Sequence, residues 1–138
     1  MKNQTVFITD YDLKRLKGLA ESASHWPVQD MDIVSQLKNK LDAAKVVSQK
    51  EVPPYLVTMN CHVKVTDSIT KKEMDFWLAY PDDALTGSDK ISVLSETGVA
   101  VLGAKVGDVV KASDHNQTRQ LRIAQLYYQP EEKKHYSL

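Results

Sequence analysis

A single cysteine, Cys61, stands in 138 residues, so no internal disulfide can staple the chain. Glycine and proline number five each, far below what a fibrous or low-complexity chain carries. Net charge is missing too, because 18 basic residues balance 18 acidic ones. No whole-chain field would therefore draw the protein to nucleic acid or to an anionic membrane. Eight basic and six acidic residues up to Lys50, against ten and twelve beyond it, leave an asymmetry too weak to name a partner. Long hydrophobic runs are scarce as well. Val99-Ala100-Val101-Leu102 falls far short of the roughly 20 apolar residues a membrane span needs, and Met1-Lys2-Asn3-Gln4 leads into no apolar signal core. These absences predict a cytoplasmic protein in a reducing compartment, without a membrane segment. What is present, 42% hydrophobic and 26% charged residues, suits one globular domain or a small domain with an appendage.

Thr9 precedes Asp10, with Asp12 at the third helical position of a capping arrangement, and apolar residues follow at Leu13, Leu16, Leu19 or Ala20, and Ala23. The spacing predicts a helix over about 10–24. Lys14, Arg15, Lys17 and Glu21 occupy its other face. Pro27 within His25-Trp26-Pro27-Val28-Gln29 breaks the pattern, and Asp30 opens a second amphipathic run through Val34, Leu37, Leu41 and Ala44. Two such helices should fold back as an antiparallel, coiled-coil-like hairpin. At 1.5 Å per residue each is only about 22 Å long.

Pro53-Pro54 ends the helical pattern and marks the expected boundary, a helical hairpin over 1–50 and a body over 51–138. Period-2 alternation then begins. Val57, Met59, Cys61, Val63 and Val65 predict one strand, and Met74, Phe76, Leu78 and Tyr80 a second, with a turn at 67–72. Ile91–Leu94 predicts a short strand, Thr97–Ala104 a short helix, and Gly107-Asp108 a turn into Val109–Lys111. Leu121, Ile123, Gln125 and Tyr127 close the body as a last strand before a polar tail. Together these elements predict an α+β protein whose sheet is mostly antiparallel.

Few patterns point to chemistry. Gly98-x4-Gly103-Ala104-Lys105 nearly spells a phosphate-binding loop, but alanine stands where the lysine should follow the second glycine. A short helix capped by Gly103 explains the same residues. His25, His62, His115 and His135 lie far apart, without the paired spacing of a zinc site, so no metal or cofactor is expected. Cys61 and His62 would point to opposite faces of a strand and cannot act as nucleophile and base together, leaving Cys61 as a core residue. Asp82-Asp83 after Pro81 fits turn chemistry. At the hairpin tip, His25 and Trp26 with Asp30 and Asp32 could meet a partner or help hold a metal ion. In the alternative, Trp26 caps the seam between the helices and the two aspartates complement a helix start.

Val57-Thr58-Met59-Asn60-Cys61-His62-Val63, Ile91-Ser92-Val93 and Gly98-Val99-Ala100-Val101-Leu102-Gly103-Ala104-Lys105-Val106-Gly107-Asp108 resemble, in content and in spacing, the C-terminal domain of the GreA/GreB transcript-cleavage factors. The short hairpin, the total length and the ending Tyr128-Gln129-Pro130-Glu131 through Tyr136-Ser137-Leu138 resemble a regulator within that family. The resemblance implies an FKBP-like α+β body that docks at the secondary channel of bacterial RNA polymerase, with the hairpin pointing inward. In Gre factors the longer hairpin carries acidic tip residues that help hold the second magnesium for RNA hydrolysis. A two-metal site needs its ligands within a few Å of the ions, so reach decides. A short tip with only Asp30 and Asp32 nearby predicts a non-enzymatic regulator that competes with Gre factors without stimulating cleavage. The alternative is a cleavage-stimulating factor that uses those two carboxylates. A prolyl isomerase is a third class, but a fold alone does not confer that activity. The docking contact carries over to Ser95, Glu96, Thr97 and Gly98, where Ser95 matches the family pattern and Leu94 and Glu96 depart from it. No direct sequence-specific nucleic-acid binding and a monomer are expected.

Overall fold

A computed structural model describes residues 5–23, 31–113, 118–136 and 138. The first helix, α1, spans Asp10–Ala23 and starts as its sequence dictates, with Thr9 Oγ1 accepting the Asp12 backbone N–H at 3.0 Å. Leu16, Ala20 and Ala23 form its buried stripe. The second helix, α2, spans Met31–Ala43 and buries Val34, Leu37 and Leu41 against it. His25, Trp26 and Asp30 of the expected tip lie outside the described residues, whereas Asp32 sits exposed in the first turn of α2.

Alternation did not reveal two short strands that flank the helices. Phe7–Thr9 (β1) pairs in parallel with Lys45–Val47 (β2), Ile8 opposite Val46. Each is three residues long, too short for a period-2 pattern to register. A 3₁₀ turn over Gln49–Glu51, capped by Ser48, leads to Pro53.

The body is a five-stranded sheet built from His62–Asp67 (β3), Glu73–Ala79 (β4), Lys90–Ser92 (β5), Val109–Ser113 (β6) and Thr118–Tyr128 (β7), in the order β5-β4-β3-β7-β6. The sheet is mostly antiparallel, as expected, with one exception. β5 runs parallel to β4, with Leu78 opposite Ile91, because a one-turn helix at Pro81–Ala84 (α3) and the following loop carry the chain back across the strand end before it pairs. The other three pairings are antiparallel.

Boundaries move at several points, each for a local reason. The strand expected from Val57 begins only at His62, because Asn60 adopts φ 67° and the Cys61 N–H turns back to Thr58 O. Val57, Met59 and Cys61 are nonetheless fully buried, so the alternation reported burial in a turn rather than in a strand. Tyr80 falls just past β4 as the residue before Pro81, a position that favours an extended conformation. The short body helix, α4, spans Glu96–Val101 and ends where Gly103 takes φ 81°. A Cβ at Gly103 would run into the Val6 side chain and the Phe7 carbonyl, so this glycine serves both the cap and the close approach of β1.

One apolar cluster joins all these parts. Leu16, Ala20, Leu37 and Leu41 of the helices pack in it with Val63, Phe76 and Ile123 of the sheet and Val99 and Val101 of α4. The tail expected to be polar is also docked: Gln129 is 1% exposed, and its Nε2 donates to Pro53 O at 2.8 Å and Leu56 O at 2.7 Å.

Candidate docking site and the seats of the helices

Ser95, Glu96, Thr97 and Gly98 form the entry to α4. Ser95 caps it: its Oγ accepts the Gly98 N–H at 3.0 Å and donates to Ser92 O at 2.6 Å. Glu96 occupies the first turn, where a carboxylate complements the helix end. Thr97 and Gly98 are buried, so their contribution is to shape the loop rather than to present it. A Cβ on Gly98 would overlap the Ser92 carbonyl, and only glycine allows α4 to sit this close to the end of β5. The part of this loop open to solvent is therefore Leu94, Ser95 and Glu96, all partly exposed.

Two basic residues that sequence reasoning passed over hold this element from both ends. Arg119 of β7 donates from Nη2 to Thr97 Oγ1 at 2.9 Å and lies 3.6 Å from Glu96 Oε1. Lys40 of α2 reaches the other end, where its Nζ donates to the carbonyls of Val99 (2.5 Å), Ala100 (3.1 Å) and Leu102 (2.9 Å). An ammonium at the C-terminal carbonyls of a helix is favourable in charge and in hydrogen bonding. Burial pulls Lys40 down to about 8, against those carbonyls, which favour its charged form. Neither residue stands in a motif, since their partners lie 22 to 62 positions away in the chain.

The other helix is seated on acid. Asp12, 2% exposed, accepts the Met59 N–H through Oδ2 at 3.1 Å. Burial pushes its carboxyl up to about 7, outweighing that hydrogen bond, and the nearby Glu131 adds to the rise while Arg15 opposes it. Glu131 is also raised by burial, although its Oε1 accepts Thr58 Oγ1–H at 2.7 Å. Cys61 lies between them with its Sγ 3.2 Å from both Thr58 N and Oγ1, and burial pushes its thiol up to about 12. Cys61 is thus inert core, as its alternation implied. Tyr80 Oη is buried in this region without a hydrogen-bond partner among the described residues, and the Arg15 guanidinium lies 4.3 Å above the Tyr80 ring. Arg15 Nη1 also donates to Leu138 O at 2.9 Å, fastening the chain end to α1.

Among the described residues, no group of three or more His, Cys, Asp or Glu side chains could hold a metal ion. No helix there is long and apolar enough to cross a membrane. Asp32 is the only residue of the expected tip that the described structure contains.

An acid-seated helix, a lysine-seated helix and a capped loop on a five-stranded sheet make up an α+β architecture. Residues 53–128 match the family described as transcription elongation factor, GreA/GreB, C-term, and the chain belongs to that family. It is 30% identical over 132 residues, 95% of both chains, to the regulator of nucleoside diphosphate kinase of Escherichia coli (strain K12). To transcription elongation factor GreA of Clostridium botulinum (strain Eklund 17B / Type B) it is 38% identical over 78 residues, 56% of this chain and 49% of that one. Among solved structures, a prokaryotic transcription elongation factor GreA/GreB from Nitrosomonas europaea superposes with a TM-score of 0.70 at 30% identity, covering 91% of this chain and all of that one. The protein is a transcription-factor-like regulator of this family.

Proposed function

We propose that the protein docks on bacterial RNA polymerase at the entrance of the secondary channel and competes there with Gre-type factors without stimulating transcript cleavage. In this reading residues 51–138 form an FKBP-like docking body, and residues 1–50 an antiparallel hairpin that points into the channel. Leu94, Ser95 and Glu96 make the contact, held in shape by Thr97, Gly98 and Arg119. The observation that carries the absence of cleavage is helix length. From the start of α1 at Asp10 to the end of α2 at Ala43, even a wholly helical hairpin would extend only about 25 Å. Asp32, within the first turn of α2, is then left short of a reaction centre whose metal ligands must sit within a few Å. Occupancy changes transcription, and control of nucleoside diphosphate kinase, the role in the name of the Escherichia coli relative, is exerted either through expression or by direct contact. The protein acts as a cytoplasmic monomer, without a cofactor.

Labelled protein titrated onto core RNA polymerase, with a cleavage-competent Gre factor as competitor and transcript cleavage followed in parallel, tests this. Mutual displacement with no cleavage is the expected result. Cleavage lost on Asp32→Asn would establish the opposite role, and absence of binding would remove the polymerase as partner.

A further inference from the structure

α2 and β6 do not close on each other. Between them, bounded also by α4, runs a groove of about 940 Å³. Its lining includes Lys40, Lys45 and Lys111, with Asp108 as the single acidic residue, and its strand wall is Val109 and Val110. Lys40 is committed to the α4 carbonyls and Asp108 to the Lys105 backbone N–H, which leaves Lys45 and Lys111, both exposed, to set the sign of the rim. β6 is also an edge of the sheet. Its ladder to β7 uses one side of the strand, and among the described residues no backbone hydrogen bond reaches the other. Val109, next to this free edge, is 42% exposed.

An unpaired strand edge offers alternating N–H and C=O groups to any extended backbone laid beside it. The charge of the rim selects which one. We propose that this groove is a strand-docking site for an acidic, extended segment of a partner protein, which adds a strand along β6 and sets its carboxylates against Lys45 and Lys111. Two other occupants fit less well. A second copy pairing antiparallel along the full length of β6 would bring Lys111, the middle residue of the strand, opposite its own equivalent, and like charges directly opposed are destabilising. A nucleic acid could meet the lysines but not the strand edge or the valine wall, and the chain as a whole is neutral. This site is separate from the Leu94–Glu96 surface and does not depend on polymerase binding.

The test uses the full chain and a fluorescein-labelled peptide of about nine residues alternating valine and glutamate, long enough to span β6 at about 3.3 Å per residue. Saturable binding is expected, with the Val109 and Lys111 amide signals shifting in ¹⁵N–¹H spectra and gaining protection from solvent exchange. Lys45→Glu with Lys111→Glu should weaken binding about tenfold or more, and on the unaltered protein 0.5 M salt should weaken it similarly. The same peptide carrying lysine in place of glutamate should not bind, and one N-methylated at alternate residues should bind far more weakly. Equal binding of either control, shifts confined to other elements, tighter binding of a single-stranded RNA of equal charge, or self-association through β6 in sedimentation would overturn the proposal.

Discussion

The two N-terminal helices rest on the body through opposite chemistry. α1 buries a carboxyl, Asp12, beside a second raised carboxyl, Glu131, with the Met59 N–H as its backbone donor. α2 buries an ammonium, Lys40, which meets three carbonyls at the end of α4. Both groups leave water, and both are penalised when charged. The difference lies in what replaces the water. Three carbonyls receive the Lys40 ammonium, whereas Asp12 has the Met59 N–H, the Thr9 side chain and Arg15 set against burial and a neighbouring acid, and burial outweighs them. Burial pushes both groups toward their neutral forms, Asp12 up to about 7 and Lys40 down to about 8, and the two seats differ in the hydrogen bonds set against that push.

Removing the ammonium should have the largest effect. Lys40→Met keeps the aliphatic stem but leaves the α4 carbonyls without it, and a loss of about 2–3 kcal/mol is expected in denaturant unfolding. If the variant unfolds at the wild-type midpoint, the α2 seat is not electrostatic. A pH series separates the seats next. The folded pKa of Asp12 lies above its unfolded value, so its contribution is complete below about pH 4 and is lost as pH rises to about 7. The folded pKa of Lys40 lies below its unfolded value, so stability recovers only as pH climbs from about 8 towards 10, and the carbonyls shrink that branch. A stability curve that falls through the acid range to a minimum between about 7 and 8, with the acid limb the steeper, is the expected shape. Asp12→Asn should remove most of the acid limb and raise stability at pH 8 by about 1–2 kcal/mol, provided the amide oxygen keeps the Met59 N–H. A thermal scan at pH 5 and pH 8 checks this, and an unchanged slope would assign the titration to Glu131. The smallest effect is expected at Arg119. Its Ala variant should lose about 1 kcal/mol or less, since the ion pair with Glu96 is partly exposed, yet the Ser95–Gly98 loop should loosen and polymerase affinity fall.

Much of this architecture is legible in the chain. Thr9 and Asp12 announce the start of α1, period-2 alternation finds β4 and most of β7, and Gly103 marks the end of α4. The same alternation overran at Val57–Cys61, where burial and strand conformation part company at the positive φ of Asn60. Of the candidate contact residues, the loop Ser95–Gly98 was readable as a unit. That Thr97 and Gly98 face inward, and that Arg119 grips Thr97, was not, because an inward threonine and an outward one look alike in a six-residue helix.

By itself the sequence determined what depends on neighbours a few residues apart: the helix caps, the amphipathic stripes, the alternation of buried and exposed positions and the capping glycine. Only the tertiary structure decided the pairing of β1 with β2, the parallel addition of β5, the opposite seats of Asp12 and Lys40, and the burial of the Gln129–Glu131 tail. The physical reason is desolvation. An aspartate or a lysine in a linear chain is a solvated charge, and it becomes a buried acid or a helix-end cap only when segments dozens of residues apart close over it and exclude the water.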